Sequence, residues 1–166
     1  MININVRESL SSLRGVLLLF KDVGNHQKKY AMTREKWYNP KIEEVKIAIN
    51  SSANQLYANG LLPKDLYYEA TKFFGEGVSQ GDFYNDKFSL WIDTRSSTDP
   101  ALHGNGMILD GSNTGIDIAI QKTAEAAGPL VMYIFLVIDA VMEFQNASYS
   151  KVCYALNSCP TGDGGM

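Results

Sequence analysis

The stretch LRGVLLLF, Leu13–Phe20, is a short apolar run that contains one glycine, and the turn-forming residues KDVGN follow it. An apolar run of this length, bounded by turn residues, is typical of a strand that is buried on both faces. The sequence therefore predicts a strand at or near the centre of a sheet over these residues.

A second strand is predicted over IEEVKIAI, Ile42–Ile49, because its apolar and polar or small residues alternate. Successive side chains of a strand point to opposite faces of the sheet, so Val45, Ile47 and Ile49 share one face. The pattern indicates a half-buried strand. The charged segment between these two strands, 24–40, is expected to be an exposed connection.

Strand signals recur in the second half of the chain. Phe88, Leu90 and Ile92 alternate with other residues, and Leu130–Ile138 is a continuous apolar strand. The turn-forming stretch DGSNT suits a hairpin between its two flanking strands. The predicted strands in this half are Phe88–Asp93, Met107–Leu109, Gly115–Gln121, Leu130–Ile138, Asp139–Phe144 and Tyr149–Tyr154.

One helix is predicted between the two sets of strands, over PKDLYYEATKFF, Pro63–Phe74. Proline suits the first helical turn, and the glycines that follow end the helix. The apolar residues that fall on one helical face are Leu66, Tyr67, Ala70, Phe73 and Phe74.

Seven or eight short strands and one inserted helix predict an all-β fold, a sandwich or barrel. No repeat or shift in composition divides the chain, so residues 1–155 are expected to form one domain. The small and polar residues 156–166 are expected to form a flexible tail.

Composition excludes some partner classes. Fifteen basic and eighteen acidic residues give a formal net charge of -3, so no overall positive field attracts nucleic acid. The most hydrophobic window, Leu130–Met142, contains Asp139 and is shorter than the ~20 residues of a membrane-spanning helix. The N-terminus lacks the pattern of a secretory signal, so a protein of the cytoplasm or nucleus, outside the membrane, is expected.

The segment WIDTRSSTDPALHGNG, Trp91–Gly106, concentrates polar groups that could do chemistry, above all Asp93, Arg95, Asp99 and His103. A nucleophile elbow, a histidine pair for a metal and a phosphate-binding glycine motif are all missing from the sequence. We therefore expect no catalytic residue, metal or cofactor. Instead, Arg95 is expected to pair with Asp93 or Asp99 in a self-bonded loop that shapes an interface.

Two other interpretations of the polar and aromatic residues stay open. Carboxylates in or beside strands could act as a pair in glycoside cleavage, although charged residues on strands more often face solvent. Aromatic residues near the helix, among them Trp37, Tyr38 and Tyr57, could form an exposed platform for sugars or bases, pack the helix against the sandwich, or contact another subunit. The candidate carboxylates are Glu43, Glu44, Asp93 and Glu143.

Two blocks of sequence resemble a known family. They are YNPKIEEVKIAINSSANQLYANGL, Tyr38–Leu61, and FSLWIDTRSSTDPALHGNG, Phe88–Gly106. An N-P before a strand, an N-Q-L-Y after it, a helix, and then L-W-I-D-x-R-S and L-H-G-x-G are similar to the C-terminal jelly roll of double-jelly-roll major capsid proteins. The likeness is to those of Polinton and adintovirus-like elements, and it covers Leu13–Tyr154.

The resemblance implies a single jelly roll of two four-stranded antiparallel sheets whose role is to build a shell, without catalysis or cofactor. Family members carry two such barrels and form trimers, whereas this chain has room for one. It is then a fragment, a split subunit or a viral gene kept for another use. A lone barrel would expose a former interface, and such a patch normally demands a partner.

The expected function is therefore self-association in a coat or coat-like assembly, as a homo-oligomer, with a trimer favoured, or with a related coat subunit. The expected location is the virion or the cytoplasm or nucleus of the host cell. A sandwich-type module that binds a carbohydrate or a peptide is the alternative, and an enzyme on the same fold is the third class, since a fold alone decides no function.

Overall fold

A computed structural model describes residues 1–23, 36–49, 52–53, 57, 59–95, 106–110, 115–123, 129–145 and 148–153. These parts of the chain contain ten strands and two helices. In chain order they are β1 (Ile2–Val6), β2 (Ser9–Asp22), β3 (Ile42–Ile49), β4 (Ser52–Ala53), α1 (Pro63–Phe74), α2 (Gln80–Asn85), β5 (Ser89–Asp93), β6 (Met107–Asp110), β7 (Ile116–Lys122), β8 (Leu130–Ile138), β9 (Val141–Gln145) and β10 (Ser148–Cys153).

Eight of these strands form two four-stranded antiparallel sheets, as predicted. The first sheet has the order β1-β7-β3-β4. In the second sheet β2 pairs with β5, β6 and β8, while β9 and β10 pair with each other. The chain passes repeatedly from one sheet to the other, so the two sheets share one core and the all-β sandwich is confirmed.

Strand β2 organises the second sheet. It contains the predicted strand Leu13–Phe20 and extends beyond it at both ends. The segment Gly15–Leu19 pairs with β5 on one edge and with β8 on the other, and Ser9–Leu13 pairs with β6. The sequence prediction of a strand at a sheet centre is therefore confirmed.

The core lies between the inner faces of the two sheets. The alternation predicted for β3 is confirmed, because Val45 and Ile47 are buried and Glu44 lies on the opposite face. The buried inner-face residues of the second sheet include Val16, Leu18 and Phe20, and those of β7 are Ile116, Ile118 and Ile120.

The predicted hairpin across DGSNT is wrong. Its two arms belong to different sheets, because β6 pairs with β2 whereas β7 pairs with β1 and β3. Turn-forming residues allow the chain to change direction but do not determine which strand pairs with which. Strand β7 pairs with β1 and β3 and places its apolar face in the core.

Helix α1 has the predicted bounds and the predicted proline at its start. Gly75 ends it with a φ of 70°, a left-handed conformation that favours glycine. Leu66 and Ala70 are buried, but Phe73 and Phe74 remain 40% and 43% exposed. The predicted apolar face is thus buried at its centre and open near the helix C-terminus.

A second helix, α2, was not predicted from the sequence. Ser79 caps it, since the Ser79 hydroxyl accepts a hydrogen bond of 3.2 Å from the Asp82 N–H, and Phe83 anchors it in the core. Six residues are too few to show a helical period. The insertion between the strands therefore holds two helices instead of one.

The described helices include none that is both long and apolar enough to span a membrane. The predicted tail, residues 156–166, lies outside the described residues, as does most of the predicted connection 24–40. Within the described part of that connection Lys36 is exposed, whereas Pro40 is buried.

Candidate interaction surface

The outer faces of the two sheets differ in chemistry. The first sheet presents polar side chains around Ala48 and Ala119, which line a groove of about 530 Å³. Its charged groups pair with each other, Lys46 with Glu44 at 3.1 Å and Arg7 with Asp117 at 2.5 Å. A polar face of this kind is what a sheet exposed to water carries.

The second sheet presents an apolar outer face. Its side chains form rows across β5, β2 and β8. In one row, Leu17 of β2 lies between Trp91 of β5 and Phe135 of β8. We call this set the apolar face; it consists of Leu17, Leu19, Trp91, Val131, Tyr133, Phe135 and Val137. Leu17 and Trp91 are buried but lie outside the core cluster between the sheets.

Helix α1 covers the β5 side of the apolar face. The Phe73 ring lies 4.6 Å from the Trp91 ring, centre to centre, and Trp91 is only 2% exposed. Gly15 makes room for this packing, because a Cβ at that position would collide with the Trp91 ring and the Ile92 carbonyl oxygen. Because Leu90 and Ile92 on the opposite face lie in the core, all five residues of β5 are buried.

Among the described residues, no helix covers the β8 side of the apolar face. Phe135 is 46% exposed, and its ring stacks on Tyr133 with the centroids 6.5 Å apart and a 15° angle between the planes. Trp37 meets Tyr133 edge-on at 5.9 Å, and the Lys21 ammonium lies 4.6 Å from the Trp37 ring centre. These rings form an aromatic ridge beside solvent.

The inner face of β8 is also partly uncovered. Met132, Leu136 and Ile138 pack against the core, whereas Ile134 is 43% exposed. Among the described strands, only β2 pairs with β8. Strand β8 therefore lies at an edge of the sandwich, with apolar surface on both faces at its midpoint.

Asp93 and Arg95 form an ion pair at the end of β5. The Arg95 guanidinium donates to both carboxylate oxygens of Asp93, from Nε at 2.9 Å and from Nη2 at 2.5 Å. The Arg95 backbone N–H donates to the same carboxylate at 3.0 Å. Arg95 was expected to pair with Asp93 or Asp99, and the structure pairs it with Asp93.

The charge state of Asp93 follows from these contacts. Burial alone would raise the pKa of the carboxyl, but the hydrogen bonds and the positive charge of Arg95 outweigh it and hold the pKa below its usual range. In turn, the hydrogen bond to Asp93 raises the pKa of the Arg95 guanidinium. The pair is ionised at neutral pH and fixes the chain where it leaves β5.

Tyr57 joins this cluster from inside the fold. Its hydroxyl accepts a 3.0 Å hydrogen bond from the Asp93 N–H and lies 3.3 Å from both the Asp93 carbonyl oxygen and the Glu69 carboxylate. Burial, followed by the charge of Glu69, raises the pKa of this phenol above its usual range. Tyr57 is 7% exposed, so it bridges β5 and α1 rather than facing a partner.

The other candidate residues fall in different places. Trp37 and Tyr38 are half-buried; Trp37 belongs to the aromatic ridge, while the Tyr38 N–H donates to the Phe20 carbonyl at 2.8 Å. Asp99 and His103 lie outside the described residues. The structure thus brings Asp93, Arg95 and Tyr57 together and places Trp37 beside β8.

The carboxylates weighed for glycoside cleavage are engaged in local pairs. Glu43 accepts a 2.9 Å hydrogen bond from Gln121, Glu44 pairs with Lys46, and Asp93 pairs with Arg95. The side chain of Glu143 lies outside the described set. In the described part of the chain, no group of three or more potential ligands could hold a metal ion.

The exposed midpoint of β8 was not predicted from the sequence. Ile134 and Phe135 belong to a run that lacks any polar residue, so no alternation marks a solvent face. The sequence therefore carries no signal that the midpoint of this strand is exposed.

Comparisons with protein-family models, with curated proteins and with solved structures returned no match.

Proposed function

We propose that this protein is a structural subunit that associates with copies of itself in a coat or coat-like assembly. The observation that carries the proposal is the exposed apolar midpoint of β8, where Ile134 is 43% and Phe135 is 46% exposed. The proposal includes no catalytic step and no cofactor.

The physical reason is the cost of leaving such a surface in water. Burial of apolar area stabilises by roughly 25 cal/mol per Å², and a contiguous apolar patch with a polar rim marks an interaction site. The first sheet offers no comparable patch among its described residues, because its outer face carries paired charges and amides. Association through the second sheet therefore buries more apolar area and gives the larger gain in free energy.

The resemblance to capsid jelly rolls supports the same function from an independent side. It implies a homo-oligomer, with a trimer favoured, or a related coat subunit as partner, and a place in the virion or in the cytoplasm or nucleus of the host cell. In this structure the proposal depends on the exposed apolar residues of the second sheet.

Light scattering on the full chain after size-exclusion chromatography, with electron microscopy of the same fractions, tests the proposal. We expect oligomers or regular particles in the wild type. A double variant, Tyr133→Ser with Phe135→Ser, is expected to shift the population to monomer, while Ile108→Ser, at an apolar side chain that is 59% exposed on β6, serves as control. A wild type that stays monomeric at all concentrations would contradict self-association.

The groove on the first sheet favours a second candidate, a module that binds a carbohydrate or a peptide. Its volume of about 530 Å³ lies within the range of small-molecule sites, and amides of Asn3, Asn5 and Asn59 line it. Screening the chain against a glycan array would test this. Binding by a monomer that is lost in Asn3→Ala would favour this module over the coat subunit.

A further inference from the structure

We infer that β8 of one copy pairs with β8 of a second copy, antiparallel about a two-fold axis at Ile134, so that two sandwiches share one continuous sheet. This pairing deepens the proposed function and depends on it, because it names one edge through which two copies associate. It is a two-fold contact and is separate from the contacts that would form a trimer. The partner is a second copy of this chain.

The exposure pattern of β8 favours an added strand over a partner laid on one face. Ile134 on the inner face is 43% exposed and Phe135 on the outer face is 46% exposed. Docking on the outer face would cover Phe135 but leave Ile134 in water. A strand added along the edge places side chains on both faces and covers both residues at once.

Strand β8 also lacks the features that protect sheet edges. Native edges are blunted by charged side chains, proline, bulges or short length. The nine residues LVMYIFLVI contain no charge and no proline, and their pairing with β2 runs in continuous register from Val137 to Leu130. An edge of this length and composition is a template for another strand.

The side chains are complementary to themselves in the proposed register. When Ile134 faces Ile134 of the second copy, Tyr133 stands opposite Phe135 on the outer face. Cross-strand pairs of aromatic residues stabilise antiparallel strands, and the two-fold axis makes this pair twice. Met132 then meets Leu136 on the inner face, and every row pairs two apolar side chains.

Charge does not oppose the pairing. At one end of β8, Asp139 pairs with Arg14 at 3.3 Å. At the other end, Lys21 and Asp22 of β2 stand opposite Val131 and Leu130. Each end thus carries one positive and one negative group, and a two-fold axis brings the two balanced ends together without net repulsion.

The size of the contact sets the expected strength. Nine residues span about 30 Å at ~3.3 Å per residue. With roughly 10–15 Å of exposed side-chain width, each copy contributes about 300–450 Å², below the ~800 Å² of a standard stable interface. We expect a reversible dimer in the micromolar range, a strength that suits assemblies in which many weak contacts add up.

Sedimentation equilibrium of the full chain over a concentration series measures this dimer. Phe135→Lys places a charge on the edge, the device that natural edges use, and we expect it to weaken the dimer by about tenfold or more. Ile108→Lys on β6 is the matched control and should leave the dimer unchanged. Circular dichroism and thermal melts of both variants establish that the fold persists.

Cysteine cross-linking tests the register. In a Cys153→Ser and Cys159→Ser background, Ile134→Cys would face its own copy across the axis. The Cα atoms of directly opposite residues are about 4.5–5.5 Å apart, within the range of a disulfide. Mild oxidation should therefore give a covalent dimer with Ile134→Cys and not with Ile108→Cys.

The two measurements separate the failure of the pairing from that of the proposed function. If the wild type forms oligomers that Phe135→Lys leaves intact and Ile134→Cys does not cross-link, the β8 pairing is wrong and self-association through another surface stands. If the wild type remains a monomer throughout, both fail. The pairing is supported if Phe135→Lys loses the dimer and Ile134→Cys forms a covalent dimer on oxidation.

Discussion

Strands β5 and β8 flank the same stretch of β2, Gly15–Leu19, yet their environments are opposite. Strand β5 is buried at all five positions, including Ser89 and Asp93, whereas β8 is apolar at all nine positions and is open at its midpoint. The difference is helix α1, which covers the outer face of β5, whereas no described helix covers β8. The burial of these two strands depends more on the element that packs against them than on how apolar their own residues are.

The largest effect that would sharpen this contrast is expected for Trp91→Ala. Truncation of a buried tryptophan leaves a cavity between α1 and β5 and costs about 3–5 kcal/mol of unfolding free energy. Phe135→Ala on β8, a truncation of the same kind at an exposed site, should cost about 1 kcal/mol or less.

Urea unfolding of the monomeric fraction, followed by tryptophan fluorescence or circular dichroism, measures both variants. Equal losses of unfolding free energy in Trp91→Ala and Phe135→Ala would contradict the difference in burial between the two strands. A large loss confined to Trp91→Ala would show that α1 and β5 form the stable side of the second sheet.

Gly15→Ala probes the same contact from β2. The added methyl group would meet the Trp91 ring and the Ile92 carbonyl oxygen, and overpacking of this kind costs about 1–3 kcal/mol. Gly77→Ala is the matched control, because a Cβ there meets nothing within 4 Å. A Gly15→Ala variant with a melting temperature equal to or above the wild type would show that Trp91 does not need that space.

Much of this fold could be predicted from the sequence because its signals are local. The apolar run of β2 and the alternation of β3 predicted both strands, and the proline and glycine at the ends of α1 predicted its bounds. These features depend on residues a few positions apart, which backbone geometry constrains directly.

The errors concern contacts between segments far apart in the chain. A charged residue on a strand more often faces solvent, yet Asp93 is buried and paired with Arg95. Strand β8 has the continuous pattern that usually accompanies full burial, yet nothing in the described chain covers its midpoint. DGSNT suggested a hairpin, yet its arms join different sheets. Which surface covers a strand is a tertiary property that local patterns do not contain.

The candidate site divides in the same way. The Asp93–Arg95 pair could be predicted, because two residues of opposite charge lay two positions apart at a strand end. The role of Tyr57 in that cluster could not, because its hydroxyl reaches a residue 36 positions away. The exposed edge of β8 could not be predicted for the same reason.

Acid is expected to separate the ion pair at the end of β5 from the ion pair at the end of β8. The folded state holds the pKa of Asp93 below its ordinary value, so ionised Asp93 stabilises the fold at neutral pH. This contribution is complete above the unfolded pKa of ~3.9 and is lost as the pH falls through the lower folded value. Arg14 and Asp139 at the end of β8 are 40% and 47% exposed, and an exposed pair contributes about 0–1 kcal/mol.

Asp93→Asn should therefore lower stability at pH 7, by about 1–3 kcal/mol, and flatten the loss of stability between pH 4 and pH 2. Asp139→Asn should leave the acid profile close to that of the wild type. Urea midpoints of the three proteins, measured from pH 7 down to pH 2, provide the test. The prediction is wrong if Asp93→Asn leaves the acid profile unchanged or if Asp139→Asn changes it more. Either result would mean that the ion pair at the end of β5 stabilises the fold no more than the pair at the end of β8.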